Sequence, residues 1–171
     1  MTSVATSIPL TSASTLDITA FVEREAPGVL DYFGRRVAHA DAADLLGETL
    51  VVVWRRAGSI PSDETRARMW LYGVARRVLS GHRRSAVRRT ALAERLRLEL
   101  AIDNREPDDA LRDAVREQIA ALPELDREII GLVYWEGFTL AEVAGILSMR
   151  QATVRSRHAR AREKLRLALD G

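Results

Sequence analysis

The 171-residue chain has no cysteine, which excludes disulfides, thiolate metal sites and cysteine nucleophiles. Its three histidines, His39, His82 and His158, are scattered without ligand spacing, so no metal and no other cofactor is expected. Lysine is almost missing: Lys164 stands alone against 25 arginines, a bias that suits bidentate phosphate and guanine contacts and equally suits a GC-rich genome. Long apolar runs are missing too. The longest, Leu50 to Trp54, falls far short of the roughly 18 to 20 residues that cross a bilayer, and Met1-Thr2-Ser3-Val4 lacks the basic start of a secretion signal. The expectation is a cytoplasmic protein without membrane insertion. What is present, 47% hydrophobic and 29% charged residues, suffices for one hydrophobic core or two small ones and is too apolar for wholesale disorder.

A net charge of +2 hides a segregation of sign. Residues 65–93 hold eight arginines and no acid, and residues 150–171 hold seven bases against two acids. The stretch 94–128 carries eleven acids against six arginines, and 1–64 nine acids against five. Two basic blocks separated by acidic sequence predict two anion-binding surfaces held apart on one protein, with nucleic acid as the leading partner.

Hydrophobic spacing gives an all-α expectation: two small helical domains joined by a linker, the second a four-helix domain containing a helix-turn-helix. Residues 1–15, with eight Ser or Thr, read as a disordered tail. The first domain spans 16–90. From Leu16 the pattern is helical, with Pro27-Gly28 marking a break, so one broken helix or two are expected. Asp41 to Arg56 forms another helix with Asp41 as its cap; Val51-Val52-Val53 would suit a strand, but no partner strand is apparent. A long helix follows from about Thr65, its apolar stripe formed by Ala67, Leu71, Val74, Ala75 and Val78. Arg66, Trp70, Gly73, Arg77 and Arg84 line one flank and Arg68, Tyr72, Arg76 and Arg83 the other, so aromatic and cationic groups are expected to share the exposed surface. Residues 91–109, ending in Glu106-Pro107-Asp108, read as an acidic connector, and 110–171 as the second domain, with helices near 110–121, 124–136 and 139–147.

Thr139-Leu140-Ala141-Glu142 has the form of a capping box, in which the Thr hydroxyl and the Glu carboxylate each satisfy the other's backbone N–H. The short helix it opens is followed by Ser148-Met149-Arg150 and a helical stretch from Gln151 to Leu169, with Ala144, Met149 and Val154 placed where two helices cross. That is the pattern of a helix-turn-helix, though a hairpin packed on a core would share it. Val154, His158, Ala161 and Leu165 form the inward stripe of the second helix. Gln151, Arg155, Ser156, Ala159, Arg160 and Arg162 face outward, where Arg can donate to guanine or phosphate and the small Ala159 allows close approach.

These stretches resemble the extracytoplasmic-function group of bacterial RNA polymerase sigma factors over residues 18–169. Asp44-Leu45-Leu46-Gly47-Glu48-Thr49-Leu50 with Trp54 resembles the family's polymerase-binding helix. Trp70-Leu71-Tyr72-Gly73-Val74-Ala75-Arg76 resembles its promoter-melting helix, and Leu122-Pro123-Glu124 through Thr153-Val154-Arg155-Ser156-Arg157 and Ala161-Arg162 its DNA-binding carboxyl domain. The resemblance implies that the first domain, region 2, grips core polymerase through Asp41, Asp44, Leu45, Glu48, Thr49 and Trp54. It would open the minus-ten element through Ser59, Ile60, Ser62 and Asp63 of a base-capturing loop and through Arg66, Trp70, Tyr72, Arg76, Arg77, Arg83 and Arg84. The second, region 4, would read duplex minus-thirty-five DNA through Arg150, Gln151, Thr153, Arg155, Ser156, Arg157, Ala159, Arg160 and Arg162. Implied partners are core RNA polymerase (clamp coiled coil and flap), promoter DNA and an anti-sigma factor. RNA synthesis is catalysed by the polymerase, so no catalytic residue is expected here.

The sequence departs from the family pattern at Gly47, Arg77 and Gly81, where Gln, Asn and Asp are usual, which leaves base preference at minus-ten open. Gly81 should weaken its helix by about 1 kcal/mol relative to Ala and bend or end it. Ser148 replaces a turn Gly, His158 an aliphatic residue, and Arg150 a capping Ser, so the last helix is expected to fray or shift at its start. Two alternatives differ in class. A stand-alone helix-turn-helix regulator leaves the first domain unexplained, and an enzyme using Asp41, Asp44 and Glu48 as metal carboxylates lacks a completing ligand.

Overall fold

A computed structural model describes residues 17–93 and 110–169; the predicted tail and nearly all of the predicted connector lie outside the described residues. The described residues form seven α-helices and one 3-10 turn, with no strand among them. They are α1 (Ile18–Gly34), α2 (His39–Arg55), the turn Ala57–Ser59, α3 (Glu64–Ala93), α4 (Ala110–Ala120), α5 (Glu124–Tyr134), α6 (Leu140–Leu147) and α7 (Gln151–Leu169).

Asp17 starts α1 by accepting from the backbone N–H groups of Thr19 (3.0 Å) and Ala20 (3.2 Å). The helix does not break at Pro27. Phe21 before the proline and Val29, Tyr32 and Phe33 after it all lie in the core, and their burial outweighs the roughly 3 kcal/mol that an interior proline costs. Gly28 is needed there, because a Cβ would sit 2.9 Å from the Tyr72 hydroxyl oxygen. The predicted cap of α2 is also corrected: the helix begins at His39, two residues earlier, and Asp41 sits in its first turn. The valines of α2 are helical, and α3 runs through Gly81 without ending. α1, α2 and α3 pack on one another, and α4, α5 and α6 pack around α7.

The larger correction concerns the two halves, which were expected to stand apart. α6 packs against α3, and one continuous core runs from Phe21, Tyr32, Leu45, Leu71 and Tyr72 into Ile129, Leu132, Phe138, Val143 and Val154. Tyr72 packs edge-on against both Tyr32 (centroids 5.6 Å apart) and Phe138 (5.0 Å), so an aromatic from each half closes on the same ring. A second small cluster of Leu122, Ile130, Ala161 and Leu165 fixes α7 to α5.

Candidate nucleic-acid interface

The capping box forms as its sequence dictates. The Thr139 Oγ accepts from the Glu142 N–H at 3.3 Å, and the Glu142 carboxylate accepts from the Thr139 N–H at 2.7 Å. Ser148 ends α6 in the left-handed region (φ 53°, ψ 44°), the backbone shape that a turn glycine would supply. The Met149 N–H returns to the Ala144 carbonyl (2.9 Å), which sets α7 across α6. α7 starts at Gln151 with no shift, because the Arg150 carbonyl accepts from both Thr153 and Val154 N–H.

Val154, His158 and Ala161 are buried on α7 and Leu165 is half-buried, so the inward stripe is as expected. Gln151, Thr153, Arg155, Ser156, Ala159, Arg160 and Arg162 are exposed on α7, and Arg150 just ahead of it. Arg157 differs: it donates to Asp126 of α5 at 2.8 Å, which ties α7 to its own domain. His158 stacks on Tyr134 (5.8 Å, 20°), and its Nε2 is buried without a hydrogen-bond partner. Burial, with Arg162 adding to it, pushes the imidazole below its ordinary value, so it stays neutral.

The other predicted DNA surface is divided. Ser59, Ser62, Asp63, Arg66, Arg77 and Arg84 are exposed, Ile60 and Trp70 half-buried, and Asp63 Oδ1 accepts from the Arg66 N–H (2.8 Å) at the start of α3. The opposite flank is covered. Tyr72 is 1% exposed, against the expectation of an accessible aromatic, and its phenol is pushed up to about 12 by burial first and the Glu136 carboxylate second. Arg68 donates to the Glu136 carbonyl (2.6 Å) and to Glu25 (3.1 Å), with its guanidinium 4.2 Å from the Phe138 ring centroid. Arg83 pairs with Glu124 of α5. Arg76 is half-buried and lines a cleft with Tyr32, Arg83, Glu124 and Glu128.

Arg35, Arg36, Glu128 and Glu136 were not singled out by sequence reasoning. Arg35 donates to both Glu136 oxygens (2.8 and 3.0 Å). Arg36 donates to Glu128 (2.9 Å) and to the Tyr32 carbonyl (2.9 Å). The Tyr32 hydroxyl donates to the other Glu128 oxygen (2.7 Å), and burial holds that phenol far above its usual range. One signal was available. Between residues 129 and 149 the acids are Glu136 and Glu142, and once Glu142 is assigned to the capping box a lone Glu136 in apolar sequence requires a partner.

On α2 the acidic residues are brought together. Asp41, Asp44 and Glu48 line a cleft of about 310 Å³ with Leu45, Gly81, His82 and Ser85, and Asp41 lies 3.8 Å from His82 Nε2. Asp44 and Glu48 are exposed, and Trp54 is 52% exposed beside Val51 at 47%. Leu45 and Thr49, expected to contact polymerase, are core residues instead, Thr49 Oγ donating to the Leu45 carbonyl (2.8 Å). No cluster of three or more metal-ligating side chains occurs among the described residues, and none of their helices is long and apolar enough to cross a membrane.

Comparison with known proteins follows these two halves. The family model Sigma-70 region 2 matches residues 21–89, and that of Sigma-70, region 4 matches residues 112–165. ECF RNA polymerase sigma factor SigL of Mycobacterium tuberculosis is 32% identical over 139 residues, covering 76% of this chain and 75% of SigL. ECF RNA polymerase sigma factor SigC of the same species is 34% identical over 128 residues, 72% of this chain and 68% of SigC. Among solved structures, the sigma factor RpoE of Bartonella quintana, in complex with the anti-sigma factor NepR, has the same fold (TM-score 0.71, 23% identity, 90% of this chain and 97% of that one). So does CnrH in complex with the cytosolic domain of CnrY (TM-score 0.63, 22% identity, 90% and 87%).

Proposed function

The chain belongs to the extracytoplasmic-function RNA polymerase sigma factors, which direct promoter-specific transcription initiation, and from that premise we propose how its surfaces divide the work. The observation that carries the proposal is the outer face of α7. Gln151, Arg155, Ser156, Ala159 and Arg160 are free of the core on a helix whose inner stripe and starting turn are fixed. Such a rigid helix can enter a major groove, where each bidentate Arg–guanine pair discriminates by about 1 to 3 kcal/mol. It reads the minus-thirty-five element as duplex.

The first domain has the complementary task. Capturing a melted strand needs cations along the backbone and a surface for unstacked bases. Arg66, Arg77 and Arg84, with Trp70 and the loop Ser59–Asp63, supply these on α3 and just ahead of it. Core polymerase docks on the exposed side of α2, where Asp44 and Glu48 meet a basic helix and Trp54 with Val51 supplies the apolar anchor. An anti-sigma factor covers the same surfaces, a partner suggested by the neighbouring structures in which a sigma factor is held by one. The chain acts in the cytoplasm and contributes no catalytic group; polymerase makes the RNA. Run-off transcription with core polymerase on promoters selected from genomic fragments tests the proposal. A discrete start site that requires this protein is expected, and folded protein that neither binds core nor directs initiation overturns it.

A further inference from the structure

The geometry points to a nucleotide-binding cleft bordered by α1, α3, α4 and α5, in which arginines take the phosphates of a nucleoside triphosphate and Trp135 takes its base. The site uses none of the residues proposed above to meet promoter or polymerase, and it stands whether or not that reading holds.

The cleft has a volume of about 530 Å³, within the roughly 300 to 1,000 Å³ of small-molecule sites. Arg35, Arg36, Arg83, Arg116 and Arg127 line it against two carboxylates, Glu124 and Glu128, an excess of cations that concentrates anions. Several pairings hold these arginines in place without exhausting them. Arg35 spends only Nη2 on Glu136, at 2.8 and 3.0 Å; its side chain is 31% exposed, and its Nε and Nη1 make no hydrogen bond among the described residues. Arg36 is anchored by Glu128 (2.9 Å) and by the Tyr32 carbonyl (2.9 Å). Arg83 and Glu124 form an exposed pair, which water screens and an incoming phosphate can displace. Arg127 is exposed, with no carboxylate in ion-pairing distance among the described residues. Planar guanidiniums so placed suit phosphate oxygens, which they take two at a time.

A second kind of surface completes the cleft. Trp135 is 45% exposed yet fixed: a Cβ on Gly131 would lie 3.1 and 3.2 Å from its ring atoms Cε3 and Cζ3, and the Arg35 guanidinium stands 5.6 Å from a ring centroid. Trp135 and Ile119 also line an adjoining apolar groove with Ile130, Tyr134 and Leu165. The matching ligand carries clustered negative charge and a flat ring in one small molecule. A nucleoside triphosphate has both, whereas inorganic polyphosphate lacks the ring and an acidic peptide spreads its charge.

The test is equilibrium binding of GTP, ATP, inorganic tripolyphosphate and guanosine to the full chain, read by calorimetry. Stacking on an aromatic adds about 5- to 150-fold, so GTP or ATP should bind at least fivefold more tightly than tripolyphosphate, and guanosine alone far more weakly than either. Arg127→Gln should weaken both triphosphates and tripolyphosphate by tenfold or more. Trp135→Leu should erase the advantage of GTP over tripolyphosphate and leave tripolyphosphate unchanged, a split that a merely structural loss does not produce; Trp135→Phe should restore most of it. Both positions are exposed, and thermal unfolding checks that each variant is folded. A parent that binds neither triphosphate overturns the proposal, as does equal affinity for GTP and tripolyphosphate. Binding that survives both substitutions also overturns it, because the anion then sits on the arginines of α3 or α7. So does a protein that takes a single-stranded oligonucleotide or an acidic peptide at this cleft but no free nucleotide.

Discussion

Three arginines within one and a half turns of α7 separate base readout from scaffolding. Arg155 and Arg160 are exposed, Arg160 Nε resting at 3.3 Å on the Ser156 carbonyl one turn back, whereas Arg157 is held at 2.8 Å by an Asp126 whose side chain is only 13% exposed. Replacing Arg155 or Arg160 by Ala should leave the melting temperature unchanged, since neither side chain supports the core. Should either reach a guanine, binding weakens by about 1 to 3 kcal/mol, roughly 5- to 150-fold, with relaxed preference at one base pair. A phosphate contact gives instead a loss uniform across sequences and a salt dependence shallower by about one ion. Arg157→Ala should behave differently. It leaves Asp126 largely desolvated without its partner, and with Arg157 itself about a third exposed the cost is about 1 kcal/mol, or roughly 2 to 4 °C in a chain of this size. Holoenzyme binding to a selected promoter and its point variants, beside thermal unfolding of each protein, provides the assay. If Arg157→Ala were thermally silent and altered base preference while Arg155→Ala and Arg160→Ala did neither, the orientation assigned to α7 would be wrong.

Other predictions follow from single residues. Ser148→Gly removes a left-handed strain of about 1 to 2 kcal/mol and restores about 0.4 to 1 kcal/mol of unfolded-chain entropy, so the melting temperature should rise by up to about 4 °C; a fall would show that Ser148 is not strained. His158 is neutral in the folded state with its value depressed, so its contribution to stability is present above about pH 6.5 and is lost as pH falls through the native value. Thermal unfolding at pH 7.5 and 5.5 should show a larger loss for the parent than for His158→Leu, and equal losses would refute the assignment. Trp54→Ala, at an exposed position, should spare thermal stability yet weaken association with core polymerase by tenfold or more, whereas Leu45→Ala should cost about 2 to 5 kcal/mol of stability.

What was legible in the sequence was what local chemistry decides. The capping box at Thr139 and the Ser148-Met149-Arg150 turn after Leu147 placed α6 and α7, and the boundaries of α4 and the start of α5 agree with Ala110 and Pro123. Errors arose where tertiary contacts override local preference. Pro27 signals a break, but Phe21, Tyr32 and Phe33 are buried on either side of it and α1 continues through it. Asp41 is a good cap by composition, yet α2 starts at His39 after an extended Ala38 that makes no side-chain cap bond.

The division of α3 into an open and a covered flank was illegible for a different reason. By spacing alone Arg68, Tyr72, Arg76 and Arg83 form as plausible a strand-binding surface as Arg66, Trp70, Arg77 and Arg84, because helical periodicity distinguishes faces but not what covers them. Coverage depends on Glu124, Glu128, Glu136 and Phe138, which lie beyond an acidic connector and whose pairing with a given arginine no local pattern specifies. Charge segregation gave the wrong geometry: opposite signs in separate blocks suit a polyanion on each basic block, and equally suit the acids of one half and the basic residues of the other. Buried pairs such as Arg36–Glu128 return little net stability over an apolar isostere, so their value lies in specificity.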